Sequence, residues 1–264
     1  MAARPFRISL PGGTIAGERN GEGAPALWLV HGMGGSRRDW DGLIAHLPDD
    51  LAIARHDMRG FGESRAEEGV AFSHADDLLA AMDELGASKV ALLGLSMGGG
   101  MALNFALSHP ERVSRLILVS PAMVGWAWSD EWKGEWRAVS KAARGGDMDA
   151  ARELWFGHPM FAEVRKDARL AAELRAGIAA WHGAQFLRSD ERPELPDVDR
   201  LPGLAMTALL LTGGRDVADM RLIADVIAGS APDVRRVDYP DAGHMLHMER
   251  TADLAARIAA FIAA

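Results

Sequence analysis

The chain has 264 residues, 48% of them hydrophobic and 25% charged, and no cysteine. That length suits one large α/β unit or one with a small insert, and that composition can bury a full core, which excludes disordered and collagen-like chains. Lys and Arg number 29 against 37 Asp and Glu, a formal charge of −8, the wrong sign for following a phosphate backbone, so no nucleic-acid partner is expected. The absence of cysteine excludes disulfides, thiolate nucleophiles, iron–sulfur clusters and cysteine-rich zinc sites together. Residues 1–10 lack the apolar run of a signal peptide, and nowhere do about 18 uncharged apolar residues follow one another. A cytoplasmic protein without a membrane partner is expected.

Short apolar runs at 26–30, 51–54, 90–93, 116–119 and 208–211 predict strands buried on both faces. Between them lie segments of helical period. Leu78, Leu79, Met82 and Leu85 follow Ser73-His-Ala-Asp76 in capping-box spacing, and Leu254, Ile258, Phe261 and Ile262 repeat the pattern near the C-terminus. Strand and helix in alternation predict an α/β fold with a mostly parallel, doubly wound sheet. The alternation stops between about 121 and 202, where no buried-strand run occurs and six of the eight Trp collect: Trp126, Trp128, Trp132, Trp136, Trp155 and Trp181. This stretch reads as a helical insertion. Pro193-Glu-Leu-Pro196 and Leu201-Pro202 read as the linker back to the sheet.

The strongest local signal is Val90-Ala-Leu-Leu-Gly94-Leu-Ser96-Met-Gly98-Gly-Gly100, a buried strand, then Gly-x-Ser-x-Gly, then a helix to about residue 108. A serine on so tight a strand-to-helix turn projects its hydroxyl, and side chains two positions to either side would collide. The new helix also aims its amide N–H groups at the reacting centre. Ser96 is the candidate nucleophile. A second signal, His31-Gly32-Met33-Gly34-Gly35, also follows a buried run. A tetrahedral oxyanion needs two preorganised N–H donors, commonly one from the residue after the nucleophile and one from this earlier loop. Met97 and Met33 are the candidates, through backbone only, with His31 packed beneath the loop.

A serine hydroxyl needs a base, and the base needs an anion to fix its tautomer. Among nine histidines, His244 lies in Asp241-Ala-Gly243-His244-Met-Leu-His247-Met-Glu249, after an apparent strand at 234–239, where α/β sheets place their sites. His247 is the competitor. His158 and His182 read as packing or surface groups. For the acid, Leu209-Leu-Leu-Thr-Gly213-Gly-Arg-Asp216 again ends a buried strand with a loop carboxylate, and Asp219 is the nearby alternative. The run at 116–119 ends in Ser120-Pro121 and offers no carboxylate.

With His31-Gly32, Asp57-Met-Arg59-Gly60-Phe-Gly62-Glu-Ser64, Gly94-Leu-Ser96-Met-Gly98, Gly213-Gly-Arg-Asp216 and Gly243-His244 in this order, nearly the whole chain resembles the α/β-hydrolase superfamily, in its compact members with a helical cap. The resemblance implies the α/β-hydrolase fold with a core at 1–121 and 203–264 and a cap at 122–202. It implies a triad of Ser96, Asp216 and His244 and an oxyanion hole at Met33 and Met97, while the Asp57 to Ser64 motif is structural. In cap length and motif style the chain is most similar to bacterial carboxylesterases and to 3-oxoadipate enol-lactonase. Epoxide hydrolases and haloalkane dehalogenases carry Asp where Ser96 stands, and epoxide hydrolases need cap tyrosines, whereas the one Tyr here is Tyr239. Met245 follows the histidine where meta-cleavage-product hydrolases often have Trp. Met33 stands where cofactor-free haloperoxidases and perhydrolases often have an aromatic residue.

The expected function is a serine hydrolase of small hydrophobic carboxylic esters or lactones. Two rivals stay open: carbon–carbon bond hydrolysis with the same residues, and a non-catalytic small-ligand receptor on the same fold. No metal or other cofactor is implied, since Walker-type loops, Gly-x-Gly-x-x-G and zincin histidine pairs are missing. Trp128, Trp132 and Trp136 fall at i, i+4 and i+8, which would align three indoles on one helix face. Trp126, Trp128, Trp155 and Met123 are the candidate substrate-binding residues. Arg37 and Arg38, beyond the oxyanion loop, read as solvated surface cations or as partners of a substrate carboxylate.

Overall fold

The computed structural model describes residues 3–187 and 190–264. Strands β1 (Arg4–Leu10) and β2 (Gly13–Asn20) form a hairpin, followed by β3 (Leu27–Val30), α1 (Asp41–Ile44), β4 (Ile53–His56), β5 (Arg65–Ala66), α2 (His74–Glu84), β6 (Val90–Leu95), α3 (Met97–Ser108) and β7 (Val113–Val119). Helices α4 (Asp130–Arg144), α5 (Met148–Gly157), α6 (Ala168–Ala179) and α7 (Ala184–Leu187) lie in the stretch before β8 (Ala208–Gly213), and α8 (Ala218–Ser230), β9 (Val234–Tyr239), α9 (Leu246–Glu249) and α10 (Thr251–Ala263) complete the order. The sheet runs β1-β2-β4-β3-β6-β7-β8-β9, with β5 beside β2. β2 pairs antiparallel with β1, β4 and β5, and every pairing from β4 to β9 is parallel.

The central strands read as unbroken apolar runs because each feeds two cores. Trp28, Val30, Leu92, Leu116, Leu118 and Leu210 point to one face, where α2, α3 and α8 pack. Their neighbours Leu27, Leu29, Leu93, Ile117, Val119 and Leu211 point to the other, against Trp40, Leu254, Ile258 and Phe261. Strand β4 lies two residues later than its apolar run, because its polar half is buried with partners: Arg55 pairs with Glu18 at 3.0 Å, and the His56 Nδ1 accepts the Trp28 indole N–H at 2.9 Å. The hairpin β1–β2 carries no apolar run to announce it, since β1 is a largely exposed edge.

The stretch between β7 and β8 is mostly helical among its described residues, and its ends are fastened to α3 and α8. Buried Asp197 accepts from the Asn104 amide at 2.7 Å and from the Val124 N–H at 3.1 Å, while its own N–H reaches the Val124 carbonyl at 3.0 Å. Asp219, at the start of α8, accepts from the Trp126 indole, the Ser129 N–H and the Ser129 hydroxyl at 3.0, 3.1 and 2.6 Å. Ser129 also caps α4 by accepting the Trp132 N–H. The helix therefore starts after Trp128, and the expected alignment of three indoles on one helix becomes a Trp128 ring stacked on Trp132, centroids 4.3 Å apart. No helix among the described residues is long and apolar enough to cross a membrane.

Burial lowers His31, His74 and His158 to about 4 and His56 and His247 to about 3. These groups stay neutral in the fold but take up protons in the unfolded chain below about 6.5, so their contribution is present above that pH and fades toward 4. Burial raises Asp39 to about 7 and Asp197 to about 6. Those two act in the opposite sense and offset only part of the effect. The thermal midpoint should therefore fall steadily from pH 6.5 to 4.5 in a calorimetric series, and a flat or rising midpoint would contradict the assignment.

Candidate active site

Parallel strands put their carboxyl ends on one side of the sheet, and the segments that follow β3, β6, β8 and β9 converge there. At the end of β6 the backbone of Ser96 takes φ 54° and ψ −120° before α3 begins. A serine tolerates that conformation only under constraint. Here the constraint is contact. A Cβ on Gly94 would lie 2.2 Å from the Gly98 carbonyl oxygen, and one on Gly98 would lie 2.3 Å from that of His31. The Ser96 N–H donates to the Val119 carbonyl at 3.0 Å, and the Ser96 carbonyl accepts from Gly100 and Ala122 at 3.0 and 2.9 Å. The amides of the first turn of α3, Met97 included, have no helical carbonyl to bond.

The loop after β3 is held from below. The His31 Nδ1 sits 2.8 Å from the Gly32 carbonyl oxygen and its Nε2 accepts the Met58 N–H at 3.0 Å, which sets the tautomer with the proton on Nδ1. Asp57 accepts the Arg37 and Glu63 N–H groups at 2.7 and 2.8 Å and pairs with the Arg37 guanidinium. Arg37 also reaches Glu18 at 3.3 Å and Glu63 at 2.7 Å. It is a buried structural cation, which corrects its reading as a solvated group. Arg38 is half exposed and faces Glu18.

The loops that carry the candidate acid, Asp216, and the candidate base, His244, meet backbone to backbone. The Gly214 N–H donates to the Tyr239 carbonyl at 2.8 Å and the Arg215 N–H to that of Ala242 at 2.9 Å. A Cβ on Gly213 would fall 1.9 Å from the Gly243 carbonyl oxygen. The result is a buried hydrogen bond of 2.7 Å between His244 Nδ1 and Asp216 Oδ2, with the other Asp216 oxygen accepting the Val217 N–H at 2.7 Å. Asp219, the alternative acid, is occupied by Trp126 and Ser129. His247 is buried in α9 against the Trp40 ring, 5.5 Å between centroids. Glu249, which sequence reasoning passed over, spans the base loop: its two oxygens accept the N–H groups of Gly243 and Met245, on either side of His244, at 2.7 and 3.1 Å. Its one sequence signal is an acid five residues after His244, in the turn that leads into α10.

Ser96 borders two cavities. One, of about 410 Å³, is shared with His244, Met33, Trp155 and Ile178, and the other, of about 460 Å³, with Met33, Met97, Trp128, Trp132 and Trp136. Of the candidate substrate-binding residues, Trp128 and Trp155 line these spaces. Met123 lies on a separate cavity with His74 and Glu191, and Trp126 is turned to Asp219. Among the described residues no group of His, Asp and Glu is arranged to hold a metal ion.

Residues 25–251 match the family described as alpha/beta hydrolase fold. The chain is 28% identical over 251 residues to the dihydrolipoyllysine-residue acetyltransferase component of the acetoin cleaving system of Pseudomonas putida, covering 93% of this chain and 65% of that one, so it spans just under two thirds of that relative's length. It is similar in structure to an enol-lactonase from Burkholderia xenovorans LB400, with a TM-score of 0.84 and 23% identity over 98% of this chain and 100% of that one. A thermophilic esterase from Thermogutta terrifontis, described with malate bound, gives a TM-score of 0.82 and 30% identity over 99% and 98% of the two chains.

The close approach at Gly98 is testable by contrast with Gly134, where an added Cβ meets nothing within 4 Å. Gly98→Ala should destabilise by about 1–3 kcal/mol or more through backbone overlap. Gly134→Ala, inside α4, should stabilise by up to about 1 kcal/mol. Urea midpoints of the two variants measure both.

Proposed function

The chain belongs to the alpha/beta hydrolase fold family, and on that premise we propose that it is a serine hydrolase of carboxylic esters or lactones, with residues 122–202 as a cap over the site. The observation that carries this reading is the buried His244–Asp216 hydrogen bond beside a cavity that also holds the strained Ser96. In the proposed sequence His244 removes the Ser96 proton as Oγ attacks the ester carbonyl. The oxyanion settles against the Met33 and Met97 amides. Collapse expels the alcohol, which takes the proton from His244, and leaves an acyl-enzyme. Water then attacks the acyl carbon, giving its proton to His244, and the acid departs as Ser96 recovers its own. Asp216 holds the imidazole in the tautomer with Nδ1–H and stabilises its charged form, while Glu249 fixes the peptide groups on either side.

The likeness to the Thermogutta terrifontis esterase, 30% identical over nearly the whole of both chains, supports this chemistry. Ser96→Ala should abolish turnover of aryl esters and labelling by a fluorophosphonate probe while leaving the circular dichroism spectrum unchanged. Equal turnover by wild type and variant would remove Ser96 from the reaction. Asp216→Asn should lower kcat by roughly 10⁴, the loss expected when the acid no longer fixes the base tautomer. A near-normal rate would remove that role from Asp216.

A further inference from the structure

The two cavities at Ser96 differ in what they can hold. A leaving alcohol must lie within reach of the base that protonates it. His244 lines the 410 Å³ cavity and is not part of the 460 Å³ one, so the leaving group belongs to the first and the acyl chain to the second. The wall of this second space is apolar: Met33, Met97 and Met220 together with Trp128, Trp132 and Trp136. Beyond Ser96, its polar side chains are Lys133 and Arg137, and among the described residues no carboxylate lines it.

These two cations stand at i and i+4 of α4, a spacing at which like charges repel. The Arg137 Nε donates to the Lys133 carbonyl at 3.1 Å, which keeps the guanidinium over the same turn as the ammonium. Asp130 meets Lys133 at 3.8 Å, and with Asp130 97% exposed the pair is a weak surface contact. Asp219 is engaged by Ser129 and Trp126 and lies near enough to feel the Lys133 charge, but the two form no ion pair. Lys133 and Arg137 thus stand exposed at the rim of an otherwise apolar slot, and neither has a strongly held anion.

We propose that this compartment binds an acyl chain with an apolar body and a carboxylate at its far end, the body against the Trp128, Trp132 and Trp136 rings and the carboxylate between Lys133 and Arg137. The substrates are then half-esters of dicarboxylic acids, or lactones bearing a carboxylate on the acyl side. This assignment rests on the serine-hydrolase reading and names the substrate class of that site.

The test uses two pairs of p-nitrophenyl esters matched in chain length, hexanoate with the adipate half-ester and octanoate with the suberate half-ester. The quantity read is the ratio of kcat/KM for the carboxylate-ended member to that for the methyl-ended one. In the Lys133→Gln, Arg137→Gln double variant this ratio should drop about tenfold from wild type for at least one pair at low ionic strength. The difference should shrink in about 1 M NaCl, as expected for partly exposed charges. A ratio unchanged within twofold for both pairs overturns the proposal while leaving ester hydrolysis standing. If wild type and Ser96→Ala are equally inactive on all four esters, the serine-hydrolase reading fails, and the acyl-site assignment falls with it.

Discussion

Where β6 ends and the loop after β3 begins, main chain lies against main chain with no space for a side chain. Gly98 touches the His31 and Val30 carbonyls, and Gly94 touches the first turn of α3. Chain packed this closely must reverse within a few residues, and the residue at the reversal, Ser96, is driven into positive φ. The same proximity sets the Met97 amide beside the loop that carries Met33. A second contact of this kind, Gly213 on Gly243, brings the acid and base loops together. The candidate chemistry thus depends on four glycines that take no part in it.

Ion pairs hold the other side of the loop after β3. Glu18, Arg37, Arg55 and Asp57 are all buried, and they tie β2, β4, the loop after β3 and the turn after β4 into one polar knot. Desolvation cancels much of the attraction in such a network, so its net contribution to stability is small. Its value lies in register: a slip of the loop would strand a charge in the interior. That accounts for the Asp57 to Ser64 motif as a structural device, with the Ser64 hydroxyl donating to the Asp57 carbonyl and accepting from Ala16.

Legibility in the sequence followed the physics of each element. Strands β6 and β8 stood out because both faces are buried and nothing polar interrupts them. Strand β4 was displaced in the reading because Arg55 and His56 look like surface residues until their partners are known. The edge hairpin escapes notice because its apolar residues, Phe6, Ile8 and Leu10, alternate with polar ones and form no continuous run. The Gly-x-Ser-x-Gly turn and the glycine-rich loop after β3 are local patterns visible in spacing, whereas the choice of Asp216 over Asp219 and of His244 over His247 as candidates leans on the family resemblance. Arg37 and Glu249 are legible in neither. Each acquires its place from partners brought in by the fold: Glu18, Asp57 and Glu63 for the first, and two backbone amides on a neighbouring turn for the second. Trp128 and Trp132 illustrate a related limit, since indole spacing suggested one helix but Ser129 begins the helix between them.

Asp197 carries a different consequence. By bonding Val124 through both backbone and side chain, it brings together two points 73 residues apart, so the helical excursion leaves the sheet and returns to it at a single base. Between those footings it meets the rest of the chain again at Phe72, whose backbone bonds Asp190 and Arg192, and at Arg215, which pairs with Glu163. Changes within the helical stretch can in this way spare the sheet so long as these few meeting points are kept.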